Sequence, residues 1–204
     1  EIGAKAFAGC SAITSIVIPA HVQIIGSEAF AGCTAAISVT FEGNRRTDLT
    51  IGTKAFSNLR GAKSIIFEGS TDGTLDIGKF IIGDYAFAPG TDSTGSYACD
   101  IQTVTFGDGA NVESIGAYAF AELPNLNSIV YGEDSRINTI GDYAFANVRK
   151  IRTIEIPSTT TSVGTGAFKG CANVSEINIL EGAQDIAFGN NVFQNCTAVT
   201  KIYL

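Results

Sequence analysis

With 204 residues, 45% of them hydrophobic and 16% charged, the chain has the composition of a folded protein and not of a disordered one. The 13 Lys and Arg residues against 20 Asp and Glu residues give a formal net charge of −7, which disfavours nucleic acid as a partner. No run approaches the roughly 20 consecutive apolar residues of a membrane helix, so we expect no membrane span in this segment.

One phrase recurs along the chain: an aliphatic or aromatic residue, Gly, two variable residues, a small or aliphatic residue and Phe. Successive copies end 23 to 33 residues apart, as in the steps from Phe7 to Phe30 and from Phe87 to Phe120. This spacing is the period of a solenoid coil. We expect the stacked Phe rings to form a continuous aromatic spine. The eight copies end at Phe7, Phe30, Phe56, Phe87, Phe120, Phe145, Phe168 and Phe193.

Each Phe is followed by a second pattern, in which an apolar residue or Cys precedes apolar residues three, six and eight positions later. The final spacing of two, often filled by β-branched residues, predicts one short, half-buried strand in each repeat. The eight strands would stack into one parallel sheet, and the Gly-x-x-Ala-Phe phrase would return the chain as a tight turn with a helical turn behind the sheet. In chain order, the predicted strands are centred on 16–18, 39–41, 65–67, 104–106, 129–131, 154–156, 177–179 and 202–204.

The two patterns meet most regularly between Cys10 and Cys33, where Cys-x-x-Ile-x-x-Ile-x-Ile-Pro leads into Ile-Gly-x-x-Ala-Phe-x-x-Cys. This combination resembles the BspA-like class of leucine-rich repeats, and the resemblance covers essentially the whole chain. The resemblance implies a bacterial or protist surface protein that binds ligands of a host or of a neighbouring cell. We therefore expect an α/β repeat solenoid, a right-handed leucine-rich-repeat-type coil with a parallel sheet on one face and turns or short helices on the other.

The expected domain is a single solenoid of about eight repeats over residues 1–204, forming a segment of a longer protein. Insertions near 43–50, 69–81 and 88–100 are rich in Gly, Asp, Ser and Thr, and we expect them to project from one side of the solenoid. Loops on a rigid scaffold often carry function, but tolerated surface insertions are as common, so both readings stay open. Their Asp residues form no calcium-loop pattern, and we expect no metal site.

Four of the five cysteines occupy the same repeat position, which points into the core. We expect Cys10, Cys33, Cys171 and Cys196 to be buried free thiols, because parallel neighbours in register suit disulfide geometry poorly. Cys99 lies in an insertion, and its exposure stays open.

The residues that alternate with the buried strand positions would lie on the inner, solvent-facing surface of the sheet. Small hydroxyl and β-branched side chains there form a flat, weakly polar platform of the kind on which repeat proteins bind partners. The alternative is that such residues simply suit a crowded parallel sheet. The candidate binding face comprises Ser38, Thr40, Ser64, Ile66, Thr103, Thr105, Ser128, Val130, Thr153 and Glu155.

The sequence favours recognition over catalysis. His21 is the single histidine, and no metal-spaced Cys or His pair, phosphate-binding Gly loop or nucleophile elbow is present. We expect no catalytic residue and no cofactor. The first hypothesis is an extracellular or cell-surface adhesin-like module that binds a protein or glycan. The alternative is a structural stalk or filament built by end-to-end self-association of the uncapped solenoid.

Overall fold

A computed structural model describes residues 1–70, 78–91, 95–182 and 185–204. Each coil of the described chain contributes short strands to a parallel β-solenoid, and turns join the strands. The strands are β1 (Ser15–Ile18), β2 (Ile24–Ile25), β3 (Ser38–Phe41), β4 (Leu49–Ile51), β5 (Ser64–Phe67), β6 (Phe80–Ile82), β7 (Gly90–Thr91), β8 (Tyr97–Ala98), β9 (Thr103–Phe106), β10 (Asn111–Ile115), β11 (Ser128–Tyr131), β12 (Arg136–Ile140), β13 (Thr153–Ile156), β14 (Ser162–Val163), β15 (Glu176–Ile179), β16 (Ala187–Phe188) and β17 (Lys201–Tyr203).

The eight strands predicted from the repeat pattern are all present, as β1, β3, β5, β9, β11, β13, β15 and β17. They do not form one sheet. Parallel pairing joins the first five in the order β1-β3-β5-β9-β11, which we call the five-stranded front sheet. The remaining three pair in the order β13-β15-β17 and form the three-stranded front sheet. The prediction of a single continuous sheet is therefore wrong at one place, between β11 and β13.

A second parallel sheet, which the sequence reading missed, lies behind the first. Its seven strands follow the order β16-β14-β12-β10-β6-β4-β2 without a break. The prediction of one strand in each repeat is thus wrong. The short apolar run before each Gly, such as Leu49–Ile51 or Phe80–Ile82, forms this second strand, since its inward side chains are buried. Turns complete each coil, and the described residues contain no helix. In these residues the fold is an all-β solenoid, and not the expected α/β solenoid with short helices.

The Gly of the repeat phrase is required by close packing between coils. A Cβ on Gly116 would lie 2.5 Å from the carbonyl carbon of Gly83 in the preceding coil. Positive φ angles occur instead two residues later, at Tyr85 (56°) and Tyr118 (56°). This Gly is therefore required for the short packing distance between coils and not for a positive φ angle.

The core holds two aromatic ladders, and the predicted Phe spine is confirmed. The repeat Phe rings stack from coil to coil with centroids 5.0 to 5.8 Å apart. A second ladder lies beneath the five-stranded front sheet, where Phe41 stacks on Phe67, Phe67 on Phe106, and Phe106 on Tyr131. Edge contacts such as that between Phe41 and Phe56 join the two ladders into one apolar interior.

The cysteines are free thiols, as expected. In Cys33, Cys171 and Cys196 the Sγ donates a hydrogen bond to the carbonyl of the Phe in the preceding coil, at 3.3 Å in each case. Cys10 in the outermost described coil is exposed, and Cys196 is half-buried, both contrary to the prediction. Cys99 is buried, and burial raises its pKa to about 11.

The insertion at 43–50 contains one buried charged residue, and it leads into β4. Arg45 is only 2% exposed, and its guanidinium donates to the carbonyls of Pro19 (3.4 Å), Glu42 (3.3 Å) and Val22. The same group lies 5.5 Å from the ring centroid of Phe80. Burial lowers the pKa of Arg45. This side chain therefore fastens the insertion to the solenoid.

Of the other two insertions, residues 71–77 and 92–94 lie outside the described residues. The described part of 69–81 ends in β6 of the back sheet, with Phe80 buried. The insertion at 88–100 contains an antiparallel pair, in which β7 bonds to β8. This pair is the element that departs from the parallel rule of the fold.

Candidate functional site

The outer face of the five-stranded front sheet carries two straight rows of side chains. Because the strands are parallel and in register, equivalent residues lie side by side. The intervening residues of β1, β3, β5 and β9, such as Val39 and Ile65, are buried, so the rows face solvent. The first row is Ser15, Ser38, Ser64, Thr103 and Ser128, and the second is Val17, Thr40, Ile66, Thr105 and Val130.

This face is uncharged, and it exposes aliphatic groups among hydroxyl groups. Val17 and Val130 are 52% and 43% exposed at its two ends, with the half-buried Ile66 between them. Ser and Thr supply hydroxyl groups that donate and accept hydrogen bonds. The face therefore offers both apolar contact and neutral hydrogen bonding to a ligand.

Charged residues line the two edges of the front sheets instead. Glu42 and Glu68 directly follow β3 and β5 at the edge where the strands end, and Glu133 lies beyond β11 at the same edge. Lys63 and Arg152 directly precede β5 and β13 at the opposite edge, where the strands begin. All five are exposed, so one edge is acidic and the other has basic positions.

Between β11 and β13 the front layer is open. No Cα atom of β11 lies within 8 Å of a Cα atom of β13, whereas paired strands lie about 4.8 Å apart. In every other step between front strands, a backbone N–H just before the strand donates to the preceding coil, for example from Asn127 to Gln102 at 3.0 Å and from Ser175 to Arg152 at 2.8 Å. No such bond joins Arg152 to Asn127, both of which the structure describes.

Pro157 gives a physical reason for the opening. The residue after β3, β5, β9, β11 or β15 donates its N–H to the last carbonyl of the preceding strand, as Gly132 does to Phe106 (2.7 Å) and Leu180 does to Ile156 (3.0 Å). Pro157 occupies this position after β13 and has no N–H. The Tyr131 carbonyl therefore cannot receive the equivalent bond. Pro19 likewise follows β1, which is the edge strand of its sheet.

The opening forms a cleft, which we call the strand gap and define by Ile129, Val130, Tyr131, Thr153, Ile154 and Glu155. Its volume is about 330 Å³, and the ring of Phe168 also lines it. Ile129 and Tyr131 are half-buried here, while the equivalent Val104 and Phe106 of β9 are fully buried. Burial, and secondarily the charge of Glu155, raise the pKa of Tyr131, so its phenol stays neutral at physiological pH.

The sequence-predicted binding residues are thus divided by the strand gap. Eight of them share the face of the five-stranded front sheet, from Ser38 to Val130. Thr153 and Glu155 lie on the three-stranded front sheet across the gap. Sequence reasoning assigned Ile129, Tyr131 and Ile154 to the core. Ile154 is buried as expected, but Ile129 and Tyr131 are only half-buried, and all three line the gap. The available signal was Pro157, which directly follows β13 and has no N–H to donate.

A second cavity, of about 460 Å³, lies on the turn side beside the 88–100 insertion. Tyr97 of β8 contributes to its wall, opposite Tyr85 and Tyr118, whose rings stack at 4.9 Å. Glu122 lines the same cavity and accepts a hydrogen bond of 2.6 Å from Asn147. An inserted segment therefore shapes a surface pocket with an aromatic wall and a carboxylate.

The described residues contain no cluster of three or more His, Cys, Asp or Glu side chains that could hold a metal ion. His21 is exposed in the loop after β1. Within the described ranges, no helix is long and apolar enough to cross a membrane. The expectation of no metal and no cofactor remains a prediction.

The described chain thus combines two layers of parallel strands with a stacked Phe spine in regularly repeating coils. The profile of the BspA type Leucine rich repeat region matches residues 1–89 and 81–204, in six copies. The chain belongs to this family. The resemblance identified from Cys10 to Cys33 is thereby confirmed. No curated protein sequence matches the chain.

Several solved structures are similar to this BspA-type chain. The T. pallidum Leucine Rich Repeat protein is 15% identical over 92% of this chain and 78% of its own, with a TM-score of 0.43. A leucine rich cell surface protein from Faecalibacterium prausnitzii A2-165 is 19% identical over 98% and 82%, with a TM-score of 0.33. The pneumococcal vaccine antigen PcpA is 16% identical over 93% and 56%, with a TM-score of 0.41.

Proposed function

We propose that this chain is a non-catalytic recognition module of an extracellular or cell-surface protein, which binds a protein or glycan through its front-sheet face and inserted loops. The observation that carries the proposal is the uncharged outer face of the five-stranded front sheet. Its two rows contain no formal charge, although the chain as a whole has a net charge of −7. Membership of the BspA-type family supports the surface location.

The chemistry of the face suits a ligand with both apolar and hydroxyl-bonding groups. Five strands at about 4.8 Å spacing present a platform roughly 19 Å wide, which is wide enough for a short peptide or several sugar rings. The exposed aliphatic groups of Val17 and Val130 favour apolar contact, while the Ser and Thr row satisfies neutral polar groups. The pocket beside Tyr97 extends the candidate surface to an inserted segment.

Binding of the purified chain to a panel of extracellular-matrix proteins, mucins and glycans tests the proposal. The test variant replaces Ser64, Ile66, Thr103 and Val130 with Glu. A control variant replaces Ser27, Thr50, Thr53 and Asn190 with Glu, which makes the same change of charge at exposed positions away from the front face. We expect saturable binding that only the front-face variant abolishes, with both variants folded. Binding that survives in the front-face variant would remove this face from the proposal.

A stalk or filament is the second candidate, and the last coil favours it. Phe188, Ile202 and Leu204 are 43%, 59% and 94% exposed, so this end presents an apolar surface on which another coil can stack. This candidate predicts a mass that rises with concentration in light scattering. It also predicts that Lys in place of Ile202 suppresses the rise. A mass that stays monomeric at high concentration would exclude self-assembly of this chain.

A further inference from the structure

The strand gap is wider than the spacing between two paired strands. Each pair of neighbouring strands is separated by about 4.8 Å, so a strand with a partner on both sides holds those partners roughly 9.6 Å apart. The separation of more than 8 Å between β11 and β13 is compatible with this double spacing and exceeds a single one. The back strands β10 and β12 remain paired behind the opening. The gap is therefore a local opening of the front layer in an otherwise continuous solenoid.

Both edges of the strand gap present unpaired backbone groups. In a parallel strand, successive residues direct their N–H and C=O groups to opposite neighbours. Gly132 donates to Phe106, so the groups of Ile129 and Tyr131 point the other way, towards the gap. Leu180 donates to Ile156, and the groups of Thr153 and Glu155 therefore face the gap from its far side. Two rows of donors and acceptors thus face each other without a strand between them.

The interior restricts the side chains that can enter. The rings of Phe120 and Phe145 remain stacked at 5.2 Å behind the opening, so the core contains no extra layer to receive a large inward residue. The cleft floor is apolar, since Ile129, Tyr131 and Ile154 line it. An inserted strand therefore needs small residues at its inward positions.

Edge charges indicate which end of a parallel inserted strand should be acidic and which basic. Arg152 lies where β13 begins, and Arg149 and Lys150 precede it. Glu133 and Asp134 lie beyond the end of β11 at the opposite edge, and all five side chains are exposed. A strand parallel to β11 and β13 is favoured when its first residues are acidic and its last residues are basic.

We propose that the strand gap receives an extended peptide segment of a partner protein, which adds as one parallel strand between β11 and β13. Main-chain hydrogen bonds on both edges bind the segment, as in β-strand addition to a single sheet edge. Small residues alternate inwards, and the ends carry acidic and then basic residues. This inference deepens the proposed function, on which it rests, because it names a polypeptide as the partner and places it between two predicted binding strands.

Defined peptides provide the test. The probes are four fluorescein-labelled octapeptides, Asp-Gln-Thr-x-Thr-x-Gly-Lys, in which x is Gly, Ala, Ser or Val. Their centre follows residues 102–107, a segment of this chain that lies between two parallel front strands in the fold. Titration by fluorescence anisotropy measures binding, and amide hydrogen exchange locates it. We expect saturable binding of at least one probe, with slowed exchange at Ile129, Tyr131, Thr153 and Glu155.

Backbone controls separate strand addition from other binding. N-methylation of both x residues leaves every side chain in place but blocks the peptide amides that would face β13. In the protein, Glu155→Pro removes an N–H that faces the gap and has no strand partner, whereas Glu155→Ala removes only the side chain. We expect at least about a tenfold loss of affinity from N-methylation and from Glu155→Pro, and less than about threefold from Glu155→Ala.

The outcomes distinguish the two proposals. Failure of all four peptides to bind at millimolar concentration, or equal binding to the Glu155→Pro protein, overturns the peptide inference. Binding without slowed exchange at the four gap-facing amides also overturns it. If a matrix or glycan ligand still binds and is lost only in the front-face Glu variant, the proposed function stands while the peptide inference fails. If the peptides bind but no panel ligand does, only the flat face is removed from the proposed function.

Discussion

The rings of Phe120 and Phe145 stack with centroids 5.2 Å apart and planes 9° from parallel, directly behind the only break between neighbouring front strands in the described chain. The spine therefore holds the two halves of the solenoid together where the front layer does not. Both rings are fully buried, and each also stacks on a further Phe of the spine.

Phe120→Ala should lower the free energy of unfolding by about 3 to 5 kcal/mol, because the variant loses buried apolar surface and leaves a cavity. Urea titration followed by circular dichroism measures the change. Phe7→Ala is the matched control, since Phe7 is 41% exposed in the first coil and should cost much less. Equal losses of unfolding free energy in the two variants would contradict the stabilising role of buried ring stacking.

Gly116→Ala should destabilise the chain by about 1 to 3 kcal/mol, because the added Cβ would lie 2.5 Å from backbone of the preceding coil. Gly3 has the same place in the first repeat phrase, but no atom lies within 4 Å of the Cβ it would gain. Gly3→Ala should therefore change stability by less than about 0.5 kcal/mol. Thermal unfolding of the two variants compares them directly. A neutral Gly116→Ala would show that the coils separate easily.

Glu155→Pro should be tolerated, while Thr105→Pro should destabilise the fold by about 2 to 3 kcal/mol. Both residues are the third residue of a front strand and point outwards. The N–H of Thr105 faces β5 within a paired sheet, whereas the N–H of Glu155 faces the strand gap. Chemical denaturation measures both losses. A large loss in Glu155→Pro would mean that β13 is paired with β11 in solution.

Arg45→Ala should cost about 3 kcal/mol, because three backbone carbonyls lose their buried donor and a cavity remains over Phe80. Arg46→Ala removes the same side chain from an exposed neighbour and should be close to neutral. Urea unfolding of the two proteins provides the comparison. If both variants are neutral, the buried guanidinium does not hold the 43–50 insertion.

Glu113 gives the back sheet a pH-dependent contribution to stability. Its carboxylate accepts a 2.6 Å hydrogen bond from Lys79, and this bond lowers the pKa of Glu113. The stabilisation is therefore complete above the unfolded pKa of about 4.3 and is lost as pH falls through the lower folded value. Melting temperatures between pH 6 and pH 2 should fall less steeply for Glu113→Gln than for the natural chain. Both side chains are partly exposed, so the difference should shrink in high salt.

Much of the repeat architecture could be predicted from spacing. The positions of the eight front strands follow from alternating apolar residues, because burying one side of a strand needs a period of two. The Phe spine follows from one Phe in each coil. The back sheet was harder to predict, since runs as short as Ile24–Ile25 are too brief to show a period. Their strand conformation depends on pairing with the neighbouring coil.

The candidate site was predictable only in part. The outward rows from Ser38 to Val130 follow from the same alternation that predicts the core. The burial of Arg45 could not be predicted from composition. This charged residue in a polar insertion is buried because three backbone carbonyls surround its guanidinium. Cys99 also lies in an insertion. It is buried beside the carbonyl of Leu59, a partner that is distant in sequence, so its burial could not be predicted from the insertion alone.

The sequence by itself determined the family, the coil period and the face that each strand residue occupies, because these depend on spacing within one repeat. Only the tertiary structure decided where the front layer opens. Pairing between β11 and β13 depends on how coils stack at residues 25 positions apart, as Ser128 and Thr153 are, and no pattern within a single coil records that distance. Pro157 removes one donor from this pairing, but the width of the gap and the unpaired groups on both its edges are properties of the assembled solenoid.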